Sequence, residues 1–115
     1  MKKLALILFV ATAISAFAAD NVVKGYLLDS SCAGELQKHA RSGAGHTKGC
    51  LTMPDCVKSG YGVLTDDLKF IKFDKAGNEQ ASKFIDGLTK NKDIKVTVSG
   101  EVIGDTMTVS KIELQ

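Results

Sequence analysis

The sequence predicts a small all-β domain with one helix, its elements ordered strand, long loop, strand, strand, helix, strand, strand. Three observations lead there. Segments rich in β-formers, some strictly alternating, lie toward both ends of the chain; one stretch alone repeats its apolar residues at helical spacing; and a glycine-rich run without clear periodicity separates the first strand from the rest.

Met1 to Ala19 has the make-up of a secretory signal peptide: Lys2 and Lys3, an apolar run from Leu4 to Ile14, then the small residues Ala16, Ala18 and Ala19. The run is shorter than the roughly 20 residues a spanning helix requires, and no cysteine follows at once for lipid attachment. The expected product is a soluble domain, residues 20–115, in the periplasm or outside the cell. Losing Lys2 and Lys3 from a chain with 15 basic and 13 acidic residues brings the formal charge to zero. A neutral domain lacks the phosphate-neutralising charge that drives nonspecific nucleic-acid binding, so neither nucleic acid nor, after cleavage, membrane is an expected partner.

In the mature chain, Val22 to Asp29 reads as a first strand with Gly25 as a bulge or bend. Ser30 to Ser59 follows as a long connection with a short helix over Glu35 to Arg41; connections of this length are usually functional, stapled or disordered. Tyr61 to Thr65 and Leu68 to Phe73 read as strands joined by a turn at Asp66-Asp67. Asn78 is expected to cap a helix whose buried stripe is Ala81, Phe84, Ile85 and Leu88. Ile94, Val96 and Val98 alternate with Lys95, Thr97 and Ser99, as in a strand with one wet face. Gly104-Asp105 suits a type II′ or I′ turn before a return strand from Met107 to Leu114.

Val23-Lys24-Gly25-Tyr26, the run Ile94 to Val102, and Thr108-Val109-Ser110-Lys111-Ile112, in that element order, resemble small exported bacterial proteins with an OB-fold-like barrel. The resemblance implies one five-stranded Greek-key barrel with its helix between strands 3 and 4. The chain departs from that pattern in the long Cys/His-containing loop between strands 1 and 2. A hairpin motif of this kind bears on architecture, not on activity.

Every cysteine and histidine of the chain lies in or beside that loop: Cys32, His39, His46, Cys50 and Cys56. Cys32, His46, Cys50 and Cys56 supply three thiolates and an imidazole, a set that satisfies tetrahedral zinc. With Met53 the set turns softer, toward copper; Met53 also reads as an apolar plug. His39 reads as a surface residue outside the site, and Asp29 as either a turn residue or an acceptor orienting a ligand.

A disulfide with one spare thiol fits the same residues in an oxidising compartment. Thiol catalysis would need an activated cysteine, with His46, Lys48 and Lys58 the nearest assistants, and there is no Cys-x-x-Cys pair. The leading expectation is a non-enzymatic, exported metal-binding domain holding zinc or copper through Cys32, His46, Cys50 and Cys56. The alternative is a disulfide-stapled interaction module with an unknown small-molecule or protein ligand on the barrel face. Of the candidate stacking residues, Phe70 and Phe73 are three apart on one strand and point to opposite faces, so one is free to be exposed.

Overall fold

A computed structural model describes residues 21–115; the export signal expected over residues 1–19 lies outside the described residues. The alternating segments become long paired strands. β1 (Asn21–Asp29) pairs antiparallel with β4 (Lys95–Ile103) from Asn21↔Gly100 to Tyr26↔Lys95, and its second half pairs antiparallel with β2 (Tyr61–Leu64), ending at Asp29↔Tyr61. β2 continues antiparallel to β3 (Phe70–Phe73). β3 runs parallel to β5 (Thr106–Leu114), and β5 pairs antiparallel with β4. The order β1-β2-β3-β5-β4 returns to β1, so a five-stranded mixed sheet closes in a ring.

Register through Gly25 is unbroken, and the irregularity falls between Ser99 and Gly100 instead. Gly25 is therefore not a bulge. It sits where β1 passes from one neighbour to the other, and a Cβ there would overlap the carbonyl of Leu64. In the two-residue turn between β4 and β5, Gly104 has φ +64° and Asp105 does not take positive φ, the sign pattern of type II′.

The inward faces of Leu27, Val63, Val96, Val98 and Met107 fill the ring, each at most 1% exposed. Phe73 joins them at 5%, while Phe70 on the opposite face packs half-buried against Leu28 and Leu64. α4 (Lys75–Asp86) lies between β3 and β4 and contributes Ala81 and Ile85 to the core. It begins earlier than expected, because the carboxylate of Asp74 accepts the Gly77 N–H at 2.8 Å. Asn78 is inside the helix, where its Oδ1 accepts the Tyr61 N–H at 2.8 Å.

Four helices form; of the three that precede β2, only the short one over Glu35 to Arg41 is expected from sequence, and it forms over Ser30–Lys38. The connection between β1 and β2 contains α1 (Ser30–Lys38), α2 (Lys48–Leu51) and α3 (Pro54–Ser59). Two of these are shorter than two turns, too short for apolar periodicity to register; local capping starts α1 and α2, and proline at the first position starts α3. The insert is tied to the ring at several points. Leu51 is fully buried in the main core, and its carbonyl accepts the Tyr61 hydroxyl at 2.7 Å. The Lys48 ammonium donates to the Leu88 carbonyl at 2.7 Å, and Thr47 bridges to Lys92. Among the described residues, no helix is long and apolar enough to cross a membrane.

Candidate functional site

Each cysteine occupies the third position of one of the three short helices. At α1, Asp29 is the cap, and its Oδ2 accepts the N–H of Cys32 at 3.0 Å. At α2, the Thr47 hydroxyl accepts the N–H of Cys50 at 3.1 Å. At α3, Met53 precedes Pro54 and Cys56 follows two residues later, with no side-chain cap. α1 leaves β1 at the point where α3 delivers the chain to β2, so the start of α1 is held beside the end of α3. The Ser30 N–H donates to the Gly60 carbonyl at 2.8 Å, and the Ser59 hydroxyl donates to the Cys56 carbonyl at 2.8 Å.

This arrangement gathers ligand atoms of Asp29, Cys32 and Cys56 within 4.8 Å of one another. Asp29 is fully buried, Cys56 is 8% exposed and Cys32 half-buried. His46 approaches from the α2 side, its imidazole Nε2 3.2 Å from Oδ1 of Asp29. That contact falls short of hydrogen-bond geometry, and neither Oδ1 nor Nε2 has another hydrogen-bonding partner. The segment carrying His46 is fixed by the Asp93 N–H on the His46 carbonyl at 3.1 Å and the Gly45 N–H on the Asp93 carboxylate at 2.6 Å.

The electrostatics centre on Asp29. Burial opposes its ionisation, but the His46 imidazole, the Cys32 amide and the two thiols outweigh burial and hold the carboxyl at about 2. Burial and then the Asp29 charge push the Cys32 thiol up to about 12, and raise that of Cys56 for the same reasons. Without an ion, both are thiols at neutral pH. Nucleophilic chemistry needs the thiolate, so the pair is poorly suited to thiol catalysis. A cation placed among them would reverse the balance, since a coordinating thiol is deprotonated outright.

Of the four residues the sequence put forward, the structure brings Cys32 and Cys56 together and sets His46 against the group through Asp29. Cys50 is not among the mutually close atoms and is half-buried. All three cysteines are free. Met53 is not an apolar plug: it stands at the N-cap position of α3 and is 54% exposed. His39 is on the surface beside Glu35, at 3.7 Å.

The residue sequence reasoning underweighted is Asp29. Its signal was the interval Asp29-Ser30-Ser31-Cys32, an acidic cap three residues before a cysteine, repeated with threonine in Thr47-Lys48-Gly49-Cys50. No protein-family model, curated protein or solved structure matches this chain.

Proposed function

We propose that this chain is a small exported domain without enzymatic activity, built on an OB-like barrel, whose β1–β2 insert binds a transition metal, zinc or copper. The barrel reading is supported by the strand order β1-β2-β3-β5-β4, its one parallel contact between β3 and β5, and the helix between β3 and β4. The export reading rests on the composition of residues 1–19.

One observation carries the metal reading: a buried carboxylate and two buried or half-buried thiols converge within 4.8 Å, with an unsatisfied imidazole beside them. Buried polar groups are otherwise almost always hydrogen-bonded, and a cation is the partner that would satisfy this set. Protein purified under reducing conditions is expected to hold one equivalent of zinc or copper by elemental analysis. No bound metal, even after reconstitution, rejects the reading.

The same proximity favours one rival, a Cys32–Cys56 disulfide that staples an interaction module and leaves Cys50 spare. Non-reducing mass spectrometry of protein recovered from the periplasm separates the two. A ligand on the ring itself draws less support: a cleft lined by Lys24, Gly25, Asp66, Lys95 and Gln115 encloses about 110 Å³, against roughly 300–1,000 Å³ for typical small-molecule sites.

A further inference from the structure

The metal reading leaves open which side chains hold the ion and which class of ion they select. We infer that Asp29, and not Cys50, belongs to the ligand set: a divalent, zinc-like ion bound by Asp29, Cys32 and Cys56, with His46 as fourth donor. This inference rests on the proposed metal binding and specifies its chemistry.

The first support is spacing. Two ligands on one tetrahedral ion, with bonds of about 2.0 to 2.3 Å, stand about 3.2 to 3.8 Å apart. Asp29, Cys32 and Cys56 already lie within 4.8 Å of each other, so closing on an ion requires side-chain shifts and no rearrangement of β1, α1 or α3. His46 Nε2 and Asp29 Oδ1 are 3.2 Å apart, the separation of a nitrogen and an oxygen ligand on the same centre, yet they are misaligned for a hydrogen bond with each other. His46 is not one of the mutually close atoms, so its imidazole makes the largest movement.

The second support is burial. The Asp29 carboxylate has no exposed surface, and one of its oxygens lacks a hydrogen-bonding partner. Its other oxygen is taken by the Cys32 amide, which fixes the carboxylate plane relative to the thiol that follows in the same helical turn. A capping role alone would need only that second oxygen. Oδ1 is left beside His46 and the thiols, where a cation would satisfy it. Cys50 has a comparable cap from Thr47 but is not one of the mutually close atoms.

The donor set also selects the ion. A carboxylate and two thiolates bring three negative charges into a buried place; a divalent ion leaves one uncompensated and Cu(I) leaves two. Cu(I) further prefers soft sulfur donors, whereas an oxygen, a nitrogen and two sulfurs suit zinc. Met53, the thioether that would soften the set, is 54% exposed, unlike the buried carboxylate and Cys56. Loading a divalent ion releases the two thiol protons to solvent and changes no oxidation state.

The test is metal titration of the chelator-stripped, reduced full chain and two variants, Asp29→Asn and Cys50→Ser, with Zn²⁺ against a competing chelator and with Co²⁺ followed by thiolate-to-metal charge-transfer absorption. Cys50→Ser is expected to bind one equivalent with unchanged affinity and unchanged charge-transfer intensity, since two thiolates remain. Asp29→Asn keeps the shape and a capping oxygen but loses the charge, and is expected to weaken zinc binding about 100-fold or more, at least the effect of removing an outer-shell partner. Should Asp29→Asn fail to fold, Cys50→Ser still tests the exclusion of Cys50 and can overturn the assignment, because Cys50 is half-buried and outside the apolar core.

A fall in charge-transfer intensity or affinity in Cys50→Ser overturns the inference while leaving metal binding intact, as does an Asp29→Asn protein that binds as tightly as the parent. Binding of Cu(I) with no measurable Zn²⁺ or Co²⁺ binding overturns the divalent assignment. A parent chain that takes up no metal removes the underlying reading as well.

Discussion

The ring of strands and the insert between β1 and β2 are held together by different forces. In the ring, Leu27, Val63, Val96, Val98 and Met107 are packed at or near zero exposure, and backbone pairing runs all the way round. In the insert, only Ala33, Leu51 and Cys56 are buried apolar residues, and the rest is fixed by caps and single hydrogen bonds such as those of Tyr61 and Lys48. Apolar burial is non-directional and survives small displacements, whereas a polar network is lost when one member is removed. The insert therefore depends on a few named groups, and a ligand bound among Asp29, Cys32, Cys56 and His46 would add stability where the apolar core supplies least.

Three measurements sharpen that contrast, beginning with the ring. Leu27→Ala removes a side chain 1% exposed at the centre of the main core, and is expected to cost about 2 to 5 kcal/mol in denaturant unfolding. The loss should be the same with or without metal, since no ligand atom is touched. A cost below about 1 kcal/mol would mean that the ring is not the cooperative core described above.

The second concerns acid. The Asp29 carboxyl sits at about 2 in the fold, against 3.8 when unperturbed. Between those values the unfolded chain binds the extra proton, so stability falls as pH falls. The stabilisation is complete above about pH 4 and lost through pH 2, and amounts to about 2 kcal/mol in the metal-free protein. Asp29→Asn should flatten this part of the pH–stability curve; an unchanged acid slope in that variant would show that Asp29 is not the group responsible.

The smallest effect is expected at the joint between the two regions. Tyr61→Phe deletes the 2.7 Å bond to the Leu51 carbonyl and should cost about 1 to 2 kcal/mol, because that carbonyl is left buried without a donor. Hydrogen exchange should rise in α2 and leave β4 and β5 protected. Uniform loss of protection across the ring would instead make insert and ring one cooperative unit.

The fate of individual residues shows how far the sequence could be read. Strict alternation at Ile94, Val96 and Val98 placed a half-buried strand correctly, since period-two patterning is written into consecutive residues. The helix stripe at Ala81 and Ile85 was equally legible, although its start was not: Asp74 and Asn78 are both good caps, and only the pairing of Asn78 with Tyr61 in space assigned them different work. In the insert the short helix over Glu35 to Arg41 was legible and overlaps α1, whereas the four and six residues of α2 and α3 leave no periodicity to detect, so the chain there resembled loop.

By itself the sequence determined which chemistry is present and roughly where: five β segments, one amphipathic helix, and all thiols and imidazoles crowded into and beside one insert. The tertiary structure decided which of those groups meet. It closed the sheet through the β3–β5 contact, brought the start of α1 to the end of α3 at Asp29↔Tyr61, and left Cys50 out of the mutually close group and Met53 exposed. Convergence of side chains from separate helices depends on long-range pairing and packing, which residue spacing along a flexible, glycine-containing connection does not encode.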